Sequence, residues 1–382
     1  MAPGVDLAVR IVGASLAAEA GEKLDWPDVP KGEQIAAVQC IIEQRVTWLV
    51  ARHASDEVLA GQAGDLLRLA SEEDVLASMR VQSAAATLVT GLLNAGIPCL
   101  TYKGTALAVA TTGDPSARGS GDVDLLVDQE NVRATHEFLL EAGAEFVAGY
   151  SPSPDSDLWQ MARRFGCELP YRWRGVDIDL HWRFDRLPQI AKMPFGDLWP
   201  LREVVELGSR SIPTLGAVDA LLVTVAHGTK EHWRHWRWIV DLVRQARAIT
   251  DWETVRQRAR TSGCEKALAI GLAIHEYLAP QPAPFSPTGN PRILAAWAWS
   301  NSCAGTAPFD GVSLDRQVAR LRWTRQTLPS IRAAGSFVAR QAYTPLDMAE
   351  LPLPRELAWC YPSVRPALWA RRLLTGRYGP RT

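Results

Sequence analysis

Residues 176–182 read Val-Asp-Ile-Asp-Leu-His-Trp, an unbroken alternation of apolar and polar side chains. Successive side chains of a strand point to opposite faces, so this run buries Val176, Ile178, Leu180 and Trp182 and gathers Asp177, Asp179 and His181 on the other side. A second run, Asp122-Val123-Asp124-Leu125-Leu126-Val127, begins with the same alternation and sets Asp122 beside Asp124. Strands of this kind require a layer of helices or a second sheet over their apolar face.

The flanking sequence supplies helices. Val5, Leu7, Ala8, Ile11, Val12 and Leu16 recur at helical spacing, as do residues 35–51, and a third helix is expected over 73–95, stopped by Gly96. The break between the first two falls at Trp26-Pro27-Asp28-Val29-Pro30-Lys31-Gly32. Ile97–Tyr102 reads as extended chain, 105–111 as a short helix, 122–127 as a strand and 129–142 as a helix closed by Gly143. Strands are expected over 168–173 and 176–183, with Arg174-Gly175 turning the hairpin between them. Helical patterns return from Val218, Thr250-Asp251-Trp252-Glu253 has the form of a capping box, and 280–291 is a proline-rich linker. The expected class is α+β: a small mixed sheet over residues 96–205, between an N-terminal helical region, 1–95, and a C-terminal one, 206–382.

At 382 residues the chain exceeds one ordinary core, and 47% hydrophobic with 22% charged residues describes a folded globular protein. A net charge of -1 gives no overall attraction to nucleic acid or an anionic membrane. Neither DNA nor a membrane is an expected partner, and no apolar run reaches the roughly 18 residues of a membrane span. The six cysteines (Cys40, Cys99, Cys167, Cys264, Cys303, Cys360) include no C-x-x-C pair and suit reduced, buried thiols. With no secretory leader in the N-terminal residues, a cytoplasmic location is expected. Beyond Arg320 the chain is rich in arginine (Arg320, Arg322, Arg325, Arg332, Arg340, Arg355, Arg365, Arg371, Arg372, Arg377, Arg381) against Asp347, Glu350 and Glu356. This reads first as solvated helix surface and second as a docking face for an anionic acceptor.

Asp122 and Asp124 on one face repel each other unless a cation or proton lies between them. A hard cation such as magnesium, which favours carboxylate and phosphate oxygen, resolves that conflict. Two solvated aspartates at a strand end leave the same pattern, so the pair decides nothing alone. Asp179 from a neighbouring strand would add a third carboxylate, enough for two metal ions and for polarising an attacking hydroxyl. Upstream, Lys103-Gly104-Thr105 stands between a strand and a helix, where glycine lets the backbone approach a phosphate. It lacks the spacing of a Walker loop.

The segments Tyr102-Lys103-Gly104-Thr105-Ala106-Leu107 and Arg118-Gly119-Ser120-Gly121-Asp122-Val123-Asp124-Leu125, followed by Ile178-Asp179-Leu180-His181-Trp182, resemble the bacterial uncharacterised nucleotidyltransferase family of the DNA polymerase β-like superfamily. The resemblance implies a nucleotidyltransferase with Asp122, Asp124 and Asp179 as metal-binding, catalytic carboxylates. It places Lys103, Gly104, Thr105, Arg118 and Ser120 at the triphosphate. It implies Mg2+, two ions, and a nucleoside triphosphate, ATP by default, as donor. The gap between Gly104-Thr105 and Asp122 is longer than the superfamily's usual one. The implied acceptor is a small molecule, a peptide natural product or an RNA end. A catalytically silent nucleotide-binding scaffold and a tRNA-directed toxin are the competing readings.

His227, His232, His235 and Asp241 invite a zinc reading, but the surrounding Trp233, Arg234, Trp236 and Arg237 suit a crowded helix surface. The 15 tryptophans, several beside arginine, are read as packing.

Overall fold

The computed structural model describes residues 3–18, 21–148, 151–187, 189–279, 281–285, 287–305, 314–341 and 345–375. Its centre is a sheet of β1 (Cys99–Tyr102), β2 (Asp122–Val127), β3 (Glu145–Phe146), β4 (Glu168–Trp173) and β5 (Val176–His181), in spatial order β1-β2-β5-β4-β3. β2 and β5 pair in parallel, and the other neighbours run antiparallel. A separate hairpin, β6 (Glu203–Leu207) and β7 (Arg210–Thr214), lies against β1.

The α+β class is as expected from the sequence, and the predicted hairpin between β4 and β5 forms at Arg174 (φ 49°) and Gly175 (φ 78°). Both residues adopt left-handed backbone, the geometry whose twist matches the flanking strands. Gly96 (φ 76°) follows the helix Gln62–Asn94 as anticipated, but that helix starts well before residue 73. Its first turns carry exposed Leu66 and Leu69, which blurs the periodicity. Gly64 allows the preceding segment to cross closely, since a Cβ there would lie 2.2 Å from the Val58 carbonyl oxygen. The helix Trp252–Ser262 is capped by Asp251, whose carboxylate accepts from the Glu253 and Thr254 amides, one residue later than the capping-box reading placed it. The proline-rich stretch gives way to the helix Asn290–Cys303, and Pro280 and Ser286 lie outside the described residues.

Each face of the sheet closes a different core. Val123, Leu125 and Val127 from β2 and Ile178 and Leu180 from β5 pack with Val81, Leu88, Val89 and Leu92 of the Gln62–Asn94 helix and with Leu139 and Trp159. That helix also has the length and apolar content to cross a membrane, with an 18-residue window of mean hydropathy 1.2, a window the sequence reading did not single out. Its apolar residues nearest the sheet are nonetheless buried against protein. On the opposite face, Leu100, Tyr102 and Leu126 join a larger core shared by the N-terminal helices Pro3–Ala17, Lys31–Glu43 and Thr47–His53 and the later helices Ala217–Lys230, Trp236–Ala248 and Glu265–His275. Each fully buried aliphatic side chain contributes about 1.5–3 kcal/mol, so these two layers fix the sheet from both sides.

Of the C-terminal arginines, Arg365 and Arg372 bind the buried Asp347, while Arg371 and Arg372 reach Glu350 at 3.3 and 2.7 Å. Arg372 is buried in this ion-pair cluster and Arg365 half-buried, while Arg371 stays exposed. Arg377 and Arg381 lie outside the described residues, as do the side chains of Arg320, Arg340 and Arg355.

Candidate active site

The parallel register sets Asp122 opposite Asp177, Asp124 opposite Asp179 and Leu126 opposite His181, so these six side chains share one face. Burial deepens along both rows. Asp122 and Asp177 are exposed, Asp179 is half-buried, and Asp124, Leu126 and His181 are 5, 2 and 3% exposed. The face is therefore a wedge, open at the start of β2 and sealed by apolar packing past Asp124.

The closed end draws together Asp124, Asp179 and His181, whose ligand atoms lie within 4.8 Å of one another. Cys167, Glu168 and His181 form an adjoining group under the same limit. Asp122 belongs to neither set among the described residues and stands nearer the mouth. Asp177 is turned to Arg172 across the β4–β5 ladder at 2.8 Å.

Asp124 is the electrostatic centre. Its Oδ1 accepts from Lys103 Nζ at 3.2 Å and lies 3.0 Å from His181 Nε2. Burial alone would raise its carboxyl, but the Lys103 charge and His181 outweigh that and hold it well below the usual carboxylate range. His181 responds in the opposite sense. Burial works against its charge, yet the hydrogen bonds to Asp124 and Cys167 and the nearby Glu168 carboxylate lift it to about 10. The His181 Nδ1 atom lies 3.5 Å from Glu168 Oε2. Asp179 is pushed up to about 7, first by desolvation and then by the Glu168, Asp124 and Asp122 charges, with His181 opposing. Asp122 is raised by the protein behind it and by Asp124, although its outer side meets solvent. Asp122 and Asp179 are thus raised first by desolvation and then by neighbouring carboxylates, and the two cations nearest them are spent on Asp124.

Lys103 reaches Asp124 from a contorted turn. Its φ of 58° and ψ of -156° lie outside the common regions for a side-chain-bearing residue, and Gly104 follows at φ 44°. A Cβ on Gly104 would lie 2.7 Å from Ser120 Oγ, so the strand-to-helix turn rests directly on the approach to β2. Thus the long separation between Gly104 and Asp122 in sequence does not part them in space. Thr105 is buried in the first turn of the helix Gly104–Thr112. The Ser120 hydroxyl donates to the Asp122 carbonyl at 3.2 Å.

Arg118 is placed differently from a phosphate contact. It is 5% exposed, and its Nε donates to both Asp241 oxygens at 3.0 and 2.8 Å. Arg237 Nη1 holds the Gly119 carbonyl at 3.1 Å and Arg244 Nη1 the Ala117 carbonyl at 2.9 Å. Three arginines thereby clamp the loop before β2 to the Trp236–Ala248 helix. Sequence reasoning missed Arg237 as a neighbour of the acidic pair. Burial, followed by the adjacent Arg118, lowers its guanidinium to about 10, while Asp241 and Asp122 favour its charge. It also missed His181 as a partner of Asp124, although its strand parity with Asp179 was in plain view.

The zinc reading of the downstream histidines does not assemble. His227 meets the Trp238 ring edge-on, His232 lies against Trp323, and His235 Nδ1 is 3.1 Å from the Glu43 carbonyl.

A family model described as "uncharacterised nucleotidyltransferase" matches residues 31–280. The chain belongs to this family. The match spans the whole wedge, the Lys103–Thr105 turn and the helix that carries Arg237 and Asp241. As a nucleotidyltransferase the protein acts on a nucleotide, and the acidic face is its candidate metal site. A solved structure, the antigenic nucleotidyltransferase-like protein from Paracoccidioides brasiliensis, is similar at 16% identity and a TM-score of 0.31, covering 49% of this chain and 92% of that one. No curated protein sequence matches.

Proposed function

We propose that this nucleotidyltransferase moves a nucleoside monophosphate from a nucleoside triphosphate, ATP by default, to an acceptor hydroxyl, which attacks the α-phosphorus as the bond to the β-phosphate breaks and pyrophosphate leaves, with magnesium at Asp122, Asp124 and Asp179. The observation that carries the reading is the register that places Asp179 beside Asp124 on an acidic sheet face. The donor set fits a hard divalent cation: carboxylate oxygens, two of whose carboxyls are raised by desolvation and by one another's charge. Bound there, magnesium would offset the charge developing on the transferred phosphoryl group.

The residues have separable tasks. Lys103 supplies a positive charge at the strand-to-helix turn, and Gly104 lets the triphosphate approach the backbone at the helix start. Asp179, half-buried beside Asp124, is placed to take the proton of an attacking hydroxyl. His181 holds Asp124 in place from behind. Arg118, through Asp241, shapes the loop instead of touching phosphate. The cytoplasm is the proposed location.

The test is transfer of α-labelled ATP, with magnesium, to a panel of hydroxylated small molecules, peptides and tRNA. Labelled product from the wild type and none from Asp122→Asn supports the reading. Absence of magnesium-dependent ATP binding in calorimetry overturns it.

A further inference from the structure

Beyond the wedge lies a cavity of about 230 Å³ that the proposed chemistry does not use. Leu187, Ile190, Ala267, Leu328 and Phe337 give it an apolar lining, and Trp323 forms a fixed aromatic wall because its Nε1 donates to the Thr229 carbonyl at 2.9 Å. It joins the catalytic face. Asp185, Ala226 and Lys230 line both this cavity and a narrow cleft bounded by Tyr102, Lys103 and His227.

One cation stands at the junction. Burial works against the Lys230 ammonium, and the Asp185 and Glu168 carboxylates outweigh it, but among the described residues it makes no ion pair. Lys103 lines that cleft together with Lys230, so the cavity adjoins the acidic face at the Lys103–Gly104 turn.

We propose that this cavity seats the acceptor, a small molecule with an apolar or aromatic body and one acidic group. The proposal rests on the donor reading above, which assigns the neighbouring Lys103–Gly104 turn to the triphosphate. The body packs against Trp323 and Phe337, the acidic group meets Lys230, and a hydroxyl projects through the shared cleft toward Lys103 and the acidic face beyond it. The volume suits a molecule of one or two rings and excludes a folded RNA end.

The test uses 8-anilino-1-naphthalenesulfonate, an aromatic anion whose fluorescence reports its burial, on the full-length protein. Saturable one-site binding is expected. Ala267→Trp, which fills the cavity, should weaken it at least about tenfold, and Lys230→Gln about three- to tenfold at low salt. Thr324→Trp fills the same cavity from another wall and replaces Ala267→Trp if that variant fails to fold. Magnesium-ATP should leave the probe's affinity unchanged. Unaltered binding in the filled variants overturns the proposal, and so does displacement of the probe by magnesium-ATP, which would give the cavity to the nucleotide. Failure of ATP to bind the wild type at all would instead remove the donor reading, and the filled variants would still locate the probe.

Discussion

Asp124 and Asp179 face each other across the parallel pair β2–β5, and the same Asp124 carboxylate already meets Lys103 and His181. One buried carboxylate thus serves two cations and one anion, whereas Asp122, two residues earlier, stands in the open. The two aspartates of the doublet therefore have different structural burdens.

Replacing them should separate activity from stability. Asp122→Asn is expected to cut transfer at least about 100-fold while changing stability by less than about 0.5 kcal/mol, as exposed sites do. Asp124→Asn should lose as much activity and also about 1–3 kcal/mol of stability, because His181 and Lys103 lose a charged partner. Urea unfolding of both variants decides the point. Equal stability losses would contradict the burial gradient.

Gly104→Ala places a methyl group against Ser120 in backbone that side chains resist. A loss of about 1–3 kcal/mol is expected, with a raised KM for the triphosphate. Ser120→Gly added to it should restore part of the stability. A neutral Gly104→Ala would show that the turn does not rest on Ser120.

Asp241→Asn leaves the Arg118 guanidinium buried beside an amide. The expected cost is about 3–5 kcal/mol, as for other buried pairs that lose one partner. Arg118→Met combined with Asp241→Leu should cost less than Asp241→Asn alone. A double-mutant cycle reads the coupling, and additive effects would show that the two side chains are independent.

His275 is buried, and burial lowers its imidazole to about 4. The unfolded chain takes up that proton near 6.5 and the folded chain only near 4, so between these values the unfolded state holds more protons. Stability should therefore fall as pH drops through this window, by on the order of 1 kcal/mol per unit for this residue, and gain nothing from it above 6.5. His275→Gln should flatten that part of the urea-midpoint profile. An unchanged slope would exclude His275 as its source.

Much of this was legible in the residues. Alternation set Asp122 with Asp124 and Asp177 with Asp179, and glycine and arginine marked the β4–β5 turn. What alternation cannot give is which strands become neighbours, so Asp179 beside Asp124 and the Arg172 partner of Asp177 emerge only with the fold. β6 and β7 escaped notice because Val204 is exposed and Pro213 sits inside the second strand, although Gly208-Ser209 is a fair hairpin signal. Arg118 has the charge for a phosphate contact, and sequence alone could not reveal that Asp241 occupies it. That pairing spans 123 residues.

Such a span has a consequence for biosynthesis. The loop that presents Asp122 and Asp124 takes its shape from Asp241, Arg237 and Arg244, all of which leave the ribosome long after the sheet itself. A nascent chain that has completed β5 carries every acidic side chain of the wedge and still lacks the clamp. The clamp on that loop therefore forms only once the helical half has been synthesised and docked.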